Sequence, residues 1–176
     1  MNPPPFAVLE PPEFRVGIGY DCHRLVPDRP LILGGVEIES DKGLLGHSDA
    51  DIVLHAITDA LLGAVGQGDI GELFPPSDPQ WKDAPSSVFV RHAVELVQGY
   101  GWRVVNLDIV VVIERPRILP HRDSIRDSIR NLLGIDLGAV GLKAKTGEGI
   151  GPIGKGMLAE SHAVVLLMRR EIPKLM

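Results

Sequence analysis

Asp21 and His23 stand two residues apart in Tyr20-Asp21-Cys22-His23, and on an extended backbone such residues point the same way. Together they offer an oxygen and a nitrogen to a small divalent cation, with Cys22 turned away. A tetrahedral zinc-type site that keeps one position open for substrate needs three protein ligands. The candidate third is His55, in His47-Ser48-Asp49-Ala50-Asp51-Ile52-Val53-Leu54-His55. A helix here puts Asp51, His55 and Asp59 at four-residue steps on a polar face, beside an apolar stripe of Ile52, Val53, Ala56, Ile57, Ala60 and Leu61. A carboxylate near a ligating imidazole fixes its tautomer, so Asp59 or Asp51 is expected to support His55.

Other chemistries find little footing. Gly149-Ile150-Gly151-Pro152-Ile153-Gly154 satisfies G-x-G-x-x-G after an expected strand. A dinucleotide fingerprint must open a βαβ unit with an acidic residue about 20 positions on. Here Pro152 and a terminal strand follow, so the segment reads as a glycine-rich active-site loop. There is no nucleophile elbow and no P-loop signature. A single cysteine, Cys22, excludes a disulfide framework, the multi-cysteine zinc patterns and the zinc deaminases.

With the metal constellation go His47 to Gly63, Gly68-Asp69-Ile70-Gly71, Phe74-Pro75-Pro76-Ser77-Asp78-Pro79, Pro116-Arg117-Ile118-Leu119-Pro120-His121 and Lys143-Ala144-Lys145-Thr146-Gly147-Glu148. In that order the chain resembles the 2-C-methyl-D-erythritol 2,4-cyclodiphosphate synthase family of the non-mevalonate route to isoprenoids, over about residues 14–168.

The resemblance implies a phosphorus–oxygen lyase. The 2-phosphate of 4-diphosphocytidyl-2-C-methyl-D-erythritol 2-phosphate attacks the diphosphate, expels CMP and closes a ring without a protein nucleophile. It implies Asp21, His23 and His55 on a zinc-like ion (Zn or Mn) and Glu148 on a magnesium-like ion (Mg or Mn). It implies His47 and Thr146 steadying the transition state, and Ser48, Asp69, Ile70, Gly71, Phe74, Pro75, Pro76, Ser77 and Asp78 around the polyol. Ile113, Glu114, Arg115, Pro116, Arg117, Ile118 and Leu119 would border the cytosine, with Cys22, Lys145 and Gly147 beside substrate. It also implies a homotrimer with sites between subunits. Two departures stand out. Lys145 replaces a common threonine, placing a cation near the phosphates, and Pro152 and Lys155 replace an aromatic and an arginine that often line a central cavity proposed to take isoprenoid phosphates. The rivals are a metal-dependent phosphohydrolase and a non-catalytic trimeric binding module.

The elements that must position these residues follow from patterning. Phe14 to Tyr20, Leu31 to Leu33, Val36 to Ile38, Trp102 to Glu114, Val140 to Lys145 and Leu158 to Met168 read as strands. After a loop at residues 41–47, Ser48 or Asp49 caps the helix carrying His55. Ser86 or Ser87 caps a second helix ending near Gly99, and a third runs from Pro120 to Leu133. Between them, residues 66–85 hold four prolines and three glycines, which make a long connection. The order is mixed, which predicts an α+β fold: a mixed β-sheet with helices packed on one face.

At 176 residues and 44% apolar content the chain fits a single domain over residues 14–170. A flexible proline-rich tail precedes it at 1–13 and a short tail follows at 171–176. The net charge of −5 argues against nucleic-acid binding, which needs a positive surface. Arg122, Arg126 and Arg130 alternate with Asp123 and Asp127 and read as a solvated helix face. No apolar run reaches membrane-spanning length, and a reducing cytoplasm is the expected compartment.

Overall fold

The computed structural model describes residues 13–170; the expected tails, apart from Glu13, lie outside the described residues. A five-stranded sheet runs in the order β4-β1-β7-β5-β6. Its strands are β1 (Phe14–Val26), β4 (Gly43–Leu44), β5 (Trp102–Val112), β6 (Val140–Lys145) and β7 (Leu158–Arg169). Only β5 and β6 pair in parallel; the other neighbours are antiparallel. A small hairpin, β2 (Leu31–Leu33) with β3 (Val36–Ile38), turns through Gly34 and Gly35, both at positive φ. The helices are α1 (Ile52–Val65), α2 (Ile70–Leu73), α3 (Ser87–Gly99), α4 (Arg122–Leu133) and the single turn α5 (Gly151–Gly154).

Helix α1 is the centre of the molecule. Twelve of its 14 residues are buried, because the sheet covers one side and α3 and the β2-β3 hairpin cover others. An element enclosed on several sides is apolar around most of its circumference. The expected stripe is therefore only part of the pattern, and Leu54, Thr58 and Leu62 are buried as well. Asp51, and not Ser48 or Asp49 as expected, caps it, accepting from the Val53 and Leu54 amides at 3.0 and 3.1 Å. Gly66, in the left-handed region at φ 72°, ends it.

The apolar alternation of β1 faces away from α1. Phe14, Val16, Ile18 and Tyr20 are 48–70% exposed, while Gly17 and Gly19 face the helix. A Cβ on Gly17 would collide with the carbonyl oxygen of Ala60, and one on Gly19 with that of Ala56. Glycine on the strand and alanine on the helix thus allow the two backbones to touch. The strand also runs six residues beyond its expected end, because Asp21 to Arg24 stay in register with Ser161 to Leu158 of β7.

Two further expectations are corrected. Arg122 and Arg126 do not form a solvated face: their Nε atoms donate to the carbonyls of Leu142 and Val140 at 3.1 and 2.8 Å. They fasten α4 along edge strand β6, whose unpaired backbone would otherwise be open. The connection at 66–85 is also partly regular, containing α2 and a 3₁₀ turn at Pro79–Trp81. Asp69 and Asp78 supply the caps, accepting from the Glu72 and Gln80 amides, each at 3.0 Å.

Candidate active site

Because β1 and α1 lie in contact, the next inward residues of β1 after Gly19 meet the first turn of α1. Oδ2 of Asp21 is 2.9 Å from Nδ1 of His55 and 3.2 Å from Nε2 of His23. One ligand atom from each residue lies within 4.8 Å of the others. Cys22, between the two β1 ligands, is exposed on the other face of the sheet. Burial raises the affinity of Asp21 for a proton, but hydrogen bonds from His23 and His55 outweigh it and hold the carboxyl well below the usual range. The hydrogen bond to Asp21 raises the pKa of His23 against the opposing effect of burial.

The partner expected for His55 is corrected. Asp51 is wholly buried and, besides capping α1, accepts from the Gly34 and Gly35 amides at 2.9 and 2.6 Å. It therefore locks the hairpin to α1. Asp59 accepts from the Ile70 amide at 2.8 Å and fixes the start of α2; burial raises its pKa. The other nitrogen of His55, Nε2, meets the hydroxyls of Ser86 at 2.8 Å and Ser48 at 3.2 Å. Ser86 stands at the N-cap of α3 but makes no side-chain cap bond. Its hydroxyl donates instead to Asp49, whose second oxygen takes the Ser86 amide at 2.9 Å.

With the one hydroxyl hydrogen of Ser86 directed to Asp49, its oxygen is free to accept from Nε2–H of His55. Nδ1 then faces a carboxylate 2.9 Å away, and it must either carry a proton or share a cation with Asp21. One carboxylate oxygen and two imidazole nitrogens form a donor set that suits a zinc-type ion with an open position.

The three donors lie in a cavity of about 240 Å³ that also includes His47, Ser48, Ile70, Gly71, Phe74 and Pro76. Trp81 and Phe89 complete its wall, with the Phe74 ring edge-on to Trp81 at 5.1 Å and tilted against Phe89 at 4.7 Å. Pro75, Ser77, Asp69 and Asp78 do not line it; Asp69 and Asp78 shape it as caps. Sequence reasoning missed Ser86, Trp81 and Phe89. Only Trp81, an aromatic within a proline-rich connection, carried a usable signal.

A second cavity, of about 280 Å³, gathers Ile113, Glu114, Pro116, Arg117, Ile118 and Leu119 against Lys145, Thr146 and Glu148. It shares no lining residue with the first. Thr146 Oγ1 donates to Glu148 Oε1 at 2.6 Å, and Glu114 takes the Gly147 amide at 3.0 Å. The loop folds back so tightly that a Cβ on Gly147 would strike the Gly154 amide, which explains its glycines without a dinucleotide. Arg115 and Lys155 do not join this cavity; they line a third. Pro152 lies exposed in α5, lining neither of the first two.

The fold and the three-donor centre define a candidate divalent-metal enzyme with a cavity sized for a small substrate. The chain belongs to the YgbB family, which matches residues 14–168. It is 57% identical over 155 residues to the 2-C-methyl-D-erythritol 2,4-cyclodiphosphate synthase of Gloeobacter violaceus, covering 88% of this chain and 95% of that one. It is 48% identical over 157 residues to the chloroplastic enzyme of that name from Arabidopsis thaliana, covering 89% and 68%. A solved structure of 2C-methyl-D-erythritol-2,4-cyclodiphosphate synthase with CDP bound superposes with a TM-score of 0.81 at 44% identity, covering 87% and 99%.

Proposed function

We propose that this chain converts 4-diphosphocytidyl-2-C-methyl-D-erythritol 2-phosphate to 2-C-methyl-D-erythritol 2,4-cyclodiphosphate with release of CMP, as a phosphorus–oxygen lyase. The observation that carries the proposal is the convergence of Asp21, His23 and His55 within 4.8 Å in a chain 57% identical to a synthase of that name. Asp21, His23 and His55 would hold a zinc-like ion. Glu148, with one carboxylate oxygen taken by Thr146 and one left over, would help hold a magnesium-like ion. When bound, the two ions neutralise the diphosphate and orient it for in-line attack.

The protein's part is positioning. His47, exposed at the rim of the metal cavity, and Thr146 would donate to phosphate oxygens as charge develops on them. Phe74, Ile70 and Pro76 give the polyol's methyl and carbon skeleton an apolar wall. Ile113, Ile118 and Leu119 give the cytosine ring an aliphatic slot, with neighbouring backbone groups available to its polar edge. Excluding water is what separates ring closure from hydrolysis.

Two separate cavities on one chain support a homotrimer in which the metal cavity of one subunit faces the Ile113–Leu119 cavity of the next. The outer face of β1 and β7, with Val16 65%, Ile18 70% and Val164 43% exposed, is a large apolar surface of the kind subunit contacts cover. A single domain over residues 14–170 and a cytoplasmic setting belong to the same proposal. Among the described residues no helix is long and apolar enough to cross a membrane.

Phosphorus-31 NMR of the products tests the reaction. The cyclic diphosphate and CMP should appear in equal amounts, whereas a linear phosphate product would establish hydrolysis instead.

A further inference from the structure

His47 and Ser48 belong to a segment that no helix or strand contains, between the end of β4 at Leu44 and the start of α1 at Ile52. Its position therefore depends on bonds from elsewhere in the chain. Two join it to the connection before α3: the Asp83 amide donates to the His47 carbonyl at 2.9 Å, and the Asp49 amide to the Ala84 carbonyl at 3.2 Å. A third comes from Arg29, whose Nη2 donates to the Ser48 carbonyl at 3.1 Å. Ser48 is buried, so water does not readily replace that donor. The base of Arg29 is itself firmly seated. A Cβ on Gly43 of β4 would strike the carbonyl oxygens of Arg29 and Pro30, so the backbone there rests directly on the strand and the guanidinium holds Ser48 rather than following it.

Arg29 is half-buried, its Nε is buried without a hydrogen-bond partner, and among the described residues it forms no ion pair with a carboxylate. A guanidinium in such a place keeps its charge at a cost in desolvation. The fold accepts that cost at the segment carrying both His47, exposed at the rim of the metal cavity, and Ser48, whose hydroxyl meets His55 Nε2 at 3.2 Å. We propose that Arg29 is a positioning residue of the active site: by holding the Ser48 carbonyl it fixes the backbone from which His47 and the Ser48 hydroxyl reach the metal cavity. Arg29 does not line that cavity, so it acts through Ser48 and not on substrate. The proposal rests on the cyclisation reading for the step it serves, in which His47 donates to a phosphate oxygen as charge develops there. A displaced donor loses more in the transition state than in ground-state binding, so the signature of losing Arg29 is a fall in kcat with KM little changed.

The test compares wild type with Arg29→Ala, as full chains at saturating zinc, by hydrogen exchange with mass spectrometry and by steady-state kinetics. In Arg29→Ala the peptides carrying the Asp49 and Asp83 amides should exchange about tenfold faster, while peptides of α1 and β7 keep wild-type protection. For CMP release kcat should fall about tenfold with KM within about twofold of wild type. If circular dichroism shows that Arg29→Ala does not fold, Arg29→Lys, which keeps the charge without the fork, is read in the same way. Unchanged exchange at those amides, an unchanged kcat, or a rise in KM alone would each overturn the proposal. So would loss of protection throughout α1 and β7, which would mark Arg29 as a support of the fold only. Exchange is read without substrate, so a wild type that releases no CMP would refute the cyclisation reading and leave the Arg29–Ser48 contact to be judged by exchange. Unchanged exchange beside normal CMP release would do the reverse.

Discussion

His55 Nδ1 lies 2.9 Å from Asp21 Oδ2 because two glycines on β1 let the first residue's helix settle onto the second residue's strand. Gly17 and Gly19 precede Asp21 on the same face, and beside them lie the backbone carbonyls of Ala60 and Ala56. The candidate metal centre is thus a consequence of close strand–helix packing.

Gly19→Ala should therefore damage the site from a distance. The new Cβ would meet the Ala60 amide nitrogen at 2.7 Å, and rigid backbone cannot yield cheaply. Overpacking of this kind costs about 1–3 kcal/mol, and the helix can relieve it only by moving His55 away from Asp21. Urea denaturation should show the loss and metal analysis a fall in bound zinc. Full zinc occupancy in a destabilised variant would mean that the strand–helix spacing does not set the ligand geometry.

Ser86→Ala separates helix capping from metal support. Since Ser86 makes no side-chain cap bond, α3 should lose less than the roughly 1 kcal/mol typical of a lost cap. Removing the hydroxyl from His55 Nε2 should lower zinc affinity by about 10–100-fold, the usual effect of losing a group that orients a ligand. Competition with a fluorescent chelator measures the affinity, and an unchanged value would remove Ser86 from the site.

Zinc binding should weaken as pH falls, and should do so sooner than ordinary imidazoles predict. Asp21 raises the pKa of His23 above 6.5, so a proton competes with the cation at higher pH than usual. Without metal the sign reverses. The protonated His23 stabilises the fold fully below its unfolded value, and that stabilisation is lost as pH rises through its raised folded value. The increase in Tm caused by zinc should therefore grow as pH rises through the raised His23 value. A constant increment would contradict the Asp21–His23 coupling.

Asp51 is the residue whose loss should cost the most stability without touching the metal. Asp51→Ala strands three buried amide donors, on Gly34, Val53 and Leu54, and a part-buried one on Gly35, for a cost of about 3 kcal/mol or more. Burial pushes its pKa up to about 6 against the pull of those hydrogen bonds. The folded state thus holds the proton more tightly than the unfolded chain, and this residue's contribution declines as pH rises from about 4 to about 6. Asp51→Asn should remove that slope in a denaturation series across this range. A slope equal to wild type would place the titration elsewhere.

How far the sequence reaches depends on the kind of interaction. The spacing of Asp21 and His23 was legible because strand periodicity alone makes them neighbours, and the apolar runs at Ile109 to Ile113 of β5 and Ala163 to Met168 of β7 needed no more than patterning. The position of His55 beside them required a helix on a strand, which the family resemblance implied and which periodicity could not. Asp51 and Ser86 show the opposite limit. Both occupy cap positions, where Asp and Ser are expected for local reasons, yet one also ties down the β2-β3 hairpin and the other supports His55. Local propensity identifies the residue type a cap wants and is silent on a second, long-range partner. The arginines of α4 misled for the same reason, since their interleaved acids described the helix alone and the exposed carbonyls of β6 came from another part of the chain.

The shared site is the account's central claim, and mixed trimers test it most directly. His55→Ala should be inactive for want of a metal ligand, and Thr146→Val for want of a donor to phosphate. Dissociating the two variants together and reassembling them would create some trimers in which one boundary has both residues intact. The account predicts that CMP release reappears in the mixture and in neither variant alone. Persistent inactivity, with mixed trimers confirmed by native mass spectrometry, would contradict it.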